Sequence, residues 1–243
     1  RVSFSETVIA KMCSVVIDHE RIIAENLREV TNGSHKSFLV EAFDKILIEE
    51  RVPLDFERGL TQFIPKPLLD PFALTKFHGH NAIHYCLGLE AKERGLIYMH
   101  QVREDADLMA WAREAFVHEA GVGLRNKFLN FEDELFTQDG FAAYANNALE
   151  RMINPYLRDP IDRVTRDPKR KLGWDDRLVG SIRYAINAGL NPKKMIRSAR
   201  KSLGEIMTAE GLQSQIDSLD LAWKGTIHSE EMEALSELIL SSH

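Results

Sequence analysis

A lysine, an asparagine and a histidine stand at offsets of zero, five and eight in one short stretch: Lys76, Asn81 and His84. At about 100° per residue on an α-helix, their side chains would lie within an arc of roughly 140° on one face. A lysine amine whose pKa is lowered by burial can take a proton from an alcohol, and a nearby histidine and amide can polarise the resulting carbonyl group. The spacing therefore indicates acid–base chemistry at a substrate oxygen. Taken alone, it is also typical of a solvated helix face with Lys76 at the surface.

Two blocks further along the chain favour the chemical interpretation. Residues 154–159 read Asn-Pro-Tyr-Leu-Arg-Asp, and residues 162–172 contain Asp-Arg-Val followed by Lys-Arg-Lys-Leu. Together with the Lys-x4-Asn-x2-His motif, this series resembles the carboxy-terminal half of the polyol-specific long-chain dehydrogenases, the mannitol dehydrogenase family. The resemblance is strongest to the branch that acts on mannitol 1-phosphate, and it runs with fading strength from about residue 4 to about residue 203.

The resemblance assigns a role to each residue of the motif. In that family the lysine is the general base and the asparagine and histidine handle the reacting oxygen, which implies these roles for Lys76, Asn81 and His84. The implied reaction is NAD-dependent oxidation of a hexitol or hexitol phosphate at a secondary alcohol, or the reverse. The family works without a metal, because the lysine does the work that zinc does in other alcohol dehydrogenases.

A second group of residues matches positions at which the family binds its substrate. Arg163 and Lys171, eight residues apart and just past Asn154, correspond to contacts with substrate hydroxyl groups. Arginine offers a fixed fork of donors to neighbouring oxygens or to a phosphate, and lysine adds a mobile charge. Three further cations, Arg166, Lys169 and Arg170, would suit a sugar phosphate, but they are equally compatible with a solvated basic loop.

Three histidines allow a different interpretation. His80 and His84 are spaced i, i+4 like the histidines of a zinc-binding helix, and His78 is close by. No glutamate follows His80 as in zinc proteases, and a third ligand would have to come from elsewhere. A histidine–metal hydrolase is therefore the weaker hypothesis, and we expect no metal at this site.

One departure from the family pattern supports another alternative. Relatives carry an aspartate and an arginine after the phenylalanine of the first strand, and alignment on Phe4 places Ala10 and Lys11 there. The family aspartate helps to orient the substrate. Its replacement would be compatible with a helical interaction module that kept the dehydrogenase scaffold and lost catalysis.

Composition limits the partners and the compartment. The formal net charge of −6 argues against nucleic acid as a partner. The sequence contains no run of about 18 apolar residues, so we expect no membrane span. The two cysteines, Cys13 and Cys86, both lie in apolar stretches and are typical of reduced, buried thiols in a cytoplasmic protein. The expected partner is a small polyol or polyol phosphate, and the oligomeric state is left open.

No Gly-x-Gly-x-x-Gly turn between a strand and a helix occurs in the sequence. If the resemblance holds, we expect an NAD-binding domain upstream of Arg1 that binds most of the cofactor. Residues 1–60 would then be a short segment of strands and loops that leads to it, and residues 61–243 would be the helical substrate-binding and catalytic domain.

The predicted fold is mainly α, and the resemblance implies a multi-helix C-terminal domain of the 6-phosphogluconate-dehydrogenase-like type with a small N-terminal β element. Residues 8–16 are apolar and β-branched and predict a strand; residues 45–49 are either its partner or part of a helix over residues 38–47. Four prolines predict a loop-rich connector over residues 52–71.

Helices are expected almost throughout after Pro71. Apolar stripes at helical spacing, which start at Leu108 and at Phe141, predict core faces rather than ligand sites. Gly189 is placed to end one helix, and Asn191 followed by a proline is expected to cap the next. Residues 230–240 predict a final amphipathic helix.

Overall fold

The computed structural model describes residues 4–50 and 59–241. The chain divides into two compact units. The first contains the described residues up to 73 together with residues 154–159, and the second contains residues 74–153 and the described residues from 160 onward. The assignment of residues 1–60 to a segment that leads to an NAD-binding domain, and of residues 61–243 to the substrate-binding and catalytic domain, stays a prediction.

The first unit is built from short strands and one short helix. Their bounds are β1 (Thr7–Ile9), β2 (Cys13–Val16), α1 (His19–Ala24), β3 (Ser37–Val40), β4 (Ile46–Glu49) and β5 (Phe63–Lys66). A three-stranded sheet has the order β1-β4-β5, in which β1 and β4 are antiparallel and β4 and β5 are parallel. A separate antiparallel pair joins β2 to β3, with Val15 opposite Phe38.

The strand expected over residues 8–16 is interrupted, so that part of the prediction is wrong. Residues 10–12 leave the strand geometry because Lys11 Nζ donates to the carbonyl of Phe43 at 2.7 Å and the main-chain N–H of Met12 donates to Glu41 Oε1 at 2.6 Å. These contacts turn the chain between the two sheets. The alternative of a helix over residues 38–47 is also wrong, and the pairing of β4 with β1 confirms the strand alternative.

Two further expectations for this unit need correction. The connector over residues 52–71 contains β5, and Pro65 is tolerated there because β5 is an edge strand that leaves one side without ladder bonds. The remainder of that expectation falls partly on residues 51–58, which lie outside the described residues. Cys13 is exposed rather than buried because it lies on the outward face of β2, whereas Cys86 is buried as predicted.

The second unit is helical, and its helices form one core. A short helix, α2 (Asp70–Leu74), precedes a π-helix over Thr75–Asn81, and a second π-helix covers Ala115–Ala120. The α-helices that follow are α3 (Ala82–Glu93), α4 (Ala106–Glu114), α5 (Gly121–Lys127), α6 (Gln138–Met152), α7 (Ile161–Thr165), α8 (Pro168–Lys171), α9 (Arg177–Asn187), α10 (Lys193–Glu210), α11 (Gln215–Ala222) and α12 (Glu230–Leu240). The predicted fold class, mainly α with a small β element, is confirmed.

The predicted apolar stripes form the centre of this core. Leu108 and Phe116 are fully buried, as are Phe141 and Ala145, and the helical pattern therefore placed these residues correctly. Gly189 has a φ of +80°, a conformation that suits glycine, and it follows the end of α9 as expected.

The start of α10 differs from the prediction. Pro192 rather than Asn191 occupies the N-cap position, and proline has no side-chain acceptor for the first N–H groups of the helix. Glu119 takes over this function from the second π-helix. Its two carboxylate oxygens accept the main-chain N–H groups of Lys194 and Met195, each at 2.9 Å.

Polar contacts fix α3, which carries His84, against α10. The hydroxyl groups of Tyr85 and Ser202 are 2.8 Å apart, and the buried carboxylate of Glu90 pairs with Lys201. A buried carboxylate is costly without such a partner, so the pair holds α3 in one register relative to α10. Within residues 4–50 and 59–241, no helix is long and apolar enough to cross a membrane.

Candidate active site

The Lys-x4-Asn-x2-His motif lies across the junction of the first π-helix and α3. Lys76 and Asn81 belong to the π-helix, and His84 lies in the first turn of α3. A π-helix closes its turns with i→i+5 hydrogen bonds and has about 4.4 residues per turn, so Asn81 is rotated by only about 50° from Lys76. Three α-helical residues then bring His84 back to within about 10° of Lys76. The three side chains therefore share a narrower face than the roughly 140° arc expected from an uninterrupted α-helix.

Close helix packing holds the π-helix in place. At Gly79, an added Cβ would lie 3.1 Å from Cε2 of Phe116 in the second π-helix and 3.3 Å from Cδ1 of Leu124 in α5. Glycine thus lets the two π-helices approach closely. Ser181 of α9 donates a hydrogen bond to the carbonyl of His78, which attaches the π-helix to a third element.

The amine of Lys76 has a lowered pKa, which is one property that a general base needs. Its side chain is partly buried, and burial lowers the pKa of its amine, with the charge of Arg151 on α6 as the second cause. A lowered pKa increases the fraction of neutral amine near neutral pH, and the neutral amine is the form that can accept a proton.

His84 and its neighbour His80 are neutral imidazoles. The pKa of His84 is lowered to about 3, first by burial of the ring and then by the charges of Arg163, Lys171 and Arg177. The His80 side chain is 5% exposed, and burial holds its pKa well below the usual value, with His84 as the second cause. The two rings meet edge to face with centroids 6.1 Å apart. A neutral imidazole can donate or accept a hydrogen bond at a substrate oxygen.

Lys171 is buried and largely engaged with the main chain. It is 5% exposed, its Nζ donates to the carbonyls of Val164 and Arg166, and the ammonium lies 4.8 Å from the centroid of the Tyr85 ring. Burial lowers its pKa to about 8, with the charge of Arg177 as the next cause. Two of its three N–H groups are thus used to join the end of α7 to α8.

The other two predicted substrate contacts lie in different units. Arg163 is exposed on α7, and its charge reaches His84. Asn154 belongs to the first unit, where its Oδ1 accepts the main-chain N–H of Tyr156 at 3.0 Å in a tight turn. The helical unit therefore brings Lys76 and His84 together with Arg163 and Lys171, and the role of Asn154 stays a prediction.

The structure does not bring together the three histidines of the metal hypothesis. His78 packs against α9, where its ring lies edge to face with Tyr184 at 4.9 Å and its Nδ1 is 3.4 Å from the carbonyl of Arg177. In the described part of the chain, no group of three or more His, Cys, Asp or Glu side chains is arranged to hold a metal ion.

Sequence analysis missed two residues near the motif, Arg151 and Arg177, and it considered His80 only as a possible metal ligand. Arg151 acts on both Lys76 and His80, and Arg177 acts on both His84 and Lys171. His80 directly precedes Asn81 of the motif in the sequence. The two arginines lie on α6 and α9, far from the motif in sequence, and only the packing of these helices brings them to it.

Comparison with known proteins shows which family the chain belongs to. The family model of the mannitol dehydrogenase C-terminal domain matches residues 68–201, more than half of the chain. Mannitol-1-phosphate 5-dehydrogenase of Lacticaseibacillus casei (strain BL23) is 29% identical over 152 residues, which are 63% of this chain and 38% of that protein. The protein of the same name from Caldanaerobacter subterraneus subsp. tengcongensis is 30% identical over 154 residues, with 60% and 38% covered. The chain thus spans about two fifths of the length of these curated relatives.

Two solved structures share the fold at low sequence identity. Substrate-free D-sorbitol dehydrogenase aligns with a TM-score of 0.69 and 14% identity, over 98% of this chain and 51% of that chain. Pseudomonas fluorescens mannitol 2-dehydrogenase, in a ternary complex with NAD and D-mannitol, aligns with a TM-score of 0.65 and 13% identity over the same shares. The family model and the shared fold agree: the chain belongs to the mannitol dehydrogenase family and contains its C-terminal domain, a domain of the polyol-dehydrogenase type.

Proposed function

We propose that this chain supplies the substrate-binding and catalytic half of an NAD-dependent dehydrogenase that interconverts a polyol and a ketose, or their phosphates. The observation that carries the proposal is the partly buried Lys76, whose pKa is lowered, on the same narrow helix face as Asn81 and His84. The names of the relatives, mannitol-1-phosphate 5-dehydrogenase, support a hexitol or hexitol phosphate as the substrate.

Each residue of the motif has a distinct task in this proposal. The neutral amine of Lys76 accepts the proton of a secondary hydroxyl group and later releases it to solvent. The amide of Asn81 and the neutral ring of His84 hold the same oxygen as it changes from hydroxyl to carbonyl. Donors fixed in advance around that oxygen stabilise the charge that develops on it. When bound, NAD would supply the acceptor for the hydride that leaves the substrate carbon.

Binding of NAD is not assigned to residues of this chain. Among residues 4–50 and 59–241, no glycine-rich turn follows a strand and opens a helix, which is the arrangement that holds a dinucleotide pyrophosphate. We therefore propose that a separate nucleotide-binding domain holds most of the cofactor.

The remaining polar groups of the substrate are assigned to three side chains. Arg163, exposed and within electrostatic reach of His84, offers a guanidinium fork to neighbouring oxygens. Lys171 contributes the one N–H that the main chain does not use, and it keeps α7 in position. The side-chain NH₂ of Asn154 is a third donor, since the Oδ1 of that residue serves the turn.

Turnover by the full-length product of the gene that encodes this chain tests the proposal. Oxidation of a panel of hexitols and hexitol phosphates is followed by NADH or NADPH absorbance, and we expect turnover of at least one substrate. A folded, nucleotide-bound protein that is inactive on the whole panel, in both directions, would contradict the proposed function.

A further inference from the structure

Arg177 is held against the π-helix that carries Lys76. It is the first residue of α9, and the carbon of its guanidinium group lies 5.2 Å from the centroid of the Phe77 ring. Phe77 directly follows Lys76. The side chain of Arg177 as a whole is 17% exposed. The stacking fixes the plane of the guanidinium group and therefore the directions in which its N–H groups point.

The hydrogen bonds of Arg177 use only part of its donor fork. Nε donates to Oδ1 of Asp176 at 2.9 Å, and the terminal nitrogens Nη1 and Nη2 donate to no acceptor among the described residues. Neither nitrogen is among the fully buried side-chain atoms that lack a hydrogen-bond partner, so both can be reached from solvent. The terminal nitrogens are therefore ready to bind an acceptor that comes from outside the chain.

Lys171 adds a buried cation on the His84 side of the motif. Its ammonium lies over the ring of Tyr85, which directly follows His84. The charge of Arg177 acts on both Lys171 and His84, so the two cations lie within electrostatic reach of each other. Like charges within electrostatic reach repel each other, and a bound anion would relieve this repulsion.

We propose that Arg177 is a further substrate-binding residue, which donates from Nη1 and Nη2 to a phosphate group on the polyol and so favours phosphorylated substrates. An arginine fork matches two oxygens of one phosphate, whereas a single hydroxyl group uses only one donor. This inference rests on the proposed function, and it adds the residue that distinguishes a polyol phosphate from a free polyol.

Two variants of the full-length protein test the inference. Arg177→Gln removes the charge and the fork, and Arg177→Lys keeps the charge without the fork. For Arg177→Gln we expect KM for the hexitol phosphate to rise by about tenfold or more, and the ratio of kcat/KM for the hexitol phosphate to kcat/KM for the unphosphorylated hexitol to fall by a similar factor. KM of Arg177→Lys for the hexitol phosphate should lie between the values of the wild type and of Arg177→Gln. Inhibition by inorganic phosphate should weaken in parallel with the rise in KM.

Arg183→Gln is the matched control on the same helix. Arg183 also stacks on an aromatic ring, that of Trp174 at 4.2 Å, but Glu231 and Asp175 accept its hydrogen bonds. Loss of this side chain is expected to leave the preference between phosphorylated and free substrate unchanged, whatever it does to stability.

The outcomes separate the inference from the proposed function. A wild-type protein without turnover on any polyol contradicts the function, and calorimetric binding of inorganic phosphate to the wild type and to Arg177→Gln then tests Arg177 by itself. Equal phosphate binding by the two proteins overturns the inference. So does a wild type that oxidises only free polyols, or an Arg177→Gln variant that loses both substrate classes equally.

Discussion

The imidazole ring of His78 lies directly against the backbone of Gly180. A Cβ at position 180 would come within 2.3 Å of Cε1 and 2.7 Å of Nδ1 of that ring. The ring has little room to move, because the rings of Phe77 and Tyr184 each lie 4.9 Å from it. The absence of a side chain at Gly180 therefore allows the first π-helix to pack against α9. This packing fixes the position of Lys76, which belongs to the same π-helix.

Gly180→Ala should destabilise the protein. A new methyl group would displace the buried His78 ring and the π-helix behind it, and overpacking of this kind costs about 1–3 kcal/mol of unfolding free energy. Urea unfolding followed by circular dichroism measures the change. In the full-length protein, turnover should also fall, since Lys76 belongs to the displaced helix.

Gly204→Ala is the control for the effect of alanine in a helix. Gly204 lies inside α10, and apart from its chain neighbours and the backbone of the same helix no atom of the described residues stands within 4 Å of the position that its Cβ would take. Alanine there should stabilise the protein by about 0.5–1 kcal/mol, because it restricts the unfolded chain and favours the helix. Equal effects of the two substitutions would show that close contact at Gly180 has no importance.

Lys76→Met should remove most turnover from the full-length protein. Loss of a general base lowers rates by about 10²–10⁴-fold, and the substitution should leave the fold intact because Lys76 is only partly buried. Steady-state kinetics measure the turnover, and a thermal melt shows whether the fold is intact. Lys92→Met on α3 removes a lysine that pairs with Glu205 at the surface, and it should leave the rate unchanged. Near-normal turnover of Lys76→Met would refute its role as the base.

Arg151→Met should move the pH profile of the same enzyme. The base must be unprotonated, so kcat/KM rises with pH until the pKa of Lys76 is passed. Arg151 lowers that pKa, after burial as the first cause, and its removal should raise the pKa and shift the rising limb to higher pH. A limb that stays in place, or one that moves to lower pH, would show that Arg151 does not tune Lys76.

His84→Gln should make stability less sensitive to acid. In the folded protein the pKa of His84 is about 3, below the usual value near 6.5 that the unfolded chain retains. Between these values the unfolded state binds more protons, so stability falls as the pH drops from about 6.5 towards 3. One such histidine contributes a slope of up to about 1.4 kcal/mol per pH unit.

Urea unfolding at pH 7.5, 6.5 and 5.5 measures that slope. The difference in unfolding free energy between wild type and His84→Gln should shift in favour of the variant as the pH falls. His228→Gln removes a solvent-exposed histidine and serves as the control. A difference that is independent of pH would mean that His84 titrates alike in the folded and unfolded chains.

The sequence allowed the motif to be predicted, but its geometry depends on packing. Lys76, Asn81 and His84 were identified from their spacing, yet a uniform α-helix would spread them over a wide arc. The π-helix that narrows the face requires Gly79 against Phe116 and Gly180 against His78, and these contacts join segments that are distant in sequence. Periodicity within one helix contains no information about them.

The main errors for the fold have similar causes. Residues 8–16 have the apolar pattern of one strand, and the tertiary contacts of Lys11 and Met12 divide it into β1 and β2. Pro65 favoured a loop, and only the edge position of β5 makes a proline acceptable there. Arg151 and Arg177 were overlooked because their importance arises from the positions of α6 and α9, whereas the apolar stripes of the long helices were predicted correctly.

Glu119 provides a final test of how a cap can be supplied from another element. Its carboxylate accepts two main-chain N–H groups at the start of α10, where Pro192 cannot cap the helix. Glu119→Ala would leave both donors, those of Lys194 and Met195, without an acceptor. We expect a loss of about 1–2 kcal/mol in unfolding free energy, as for the loss of an N-cap residue.

Glu114→Ala is the matched control, because it also removes a carboxylate that contacts Lys194. Glu114 pairs with the Lys194 ammonium at 2.9 Å, and its side chain is 60% exposed, so the pair contributes little to stability. Its loss should change the unfolding free energy by less than about 0.5 kcal/mol. If both substitutions cost the same, charge near Lys194 rather than capping of α10 would explain the effect. If only Glu119→Ala is costly, the second π-helix holds the start of α10 through this carboxylate.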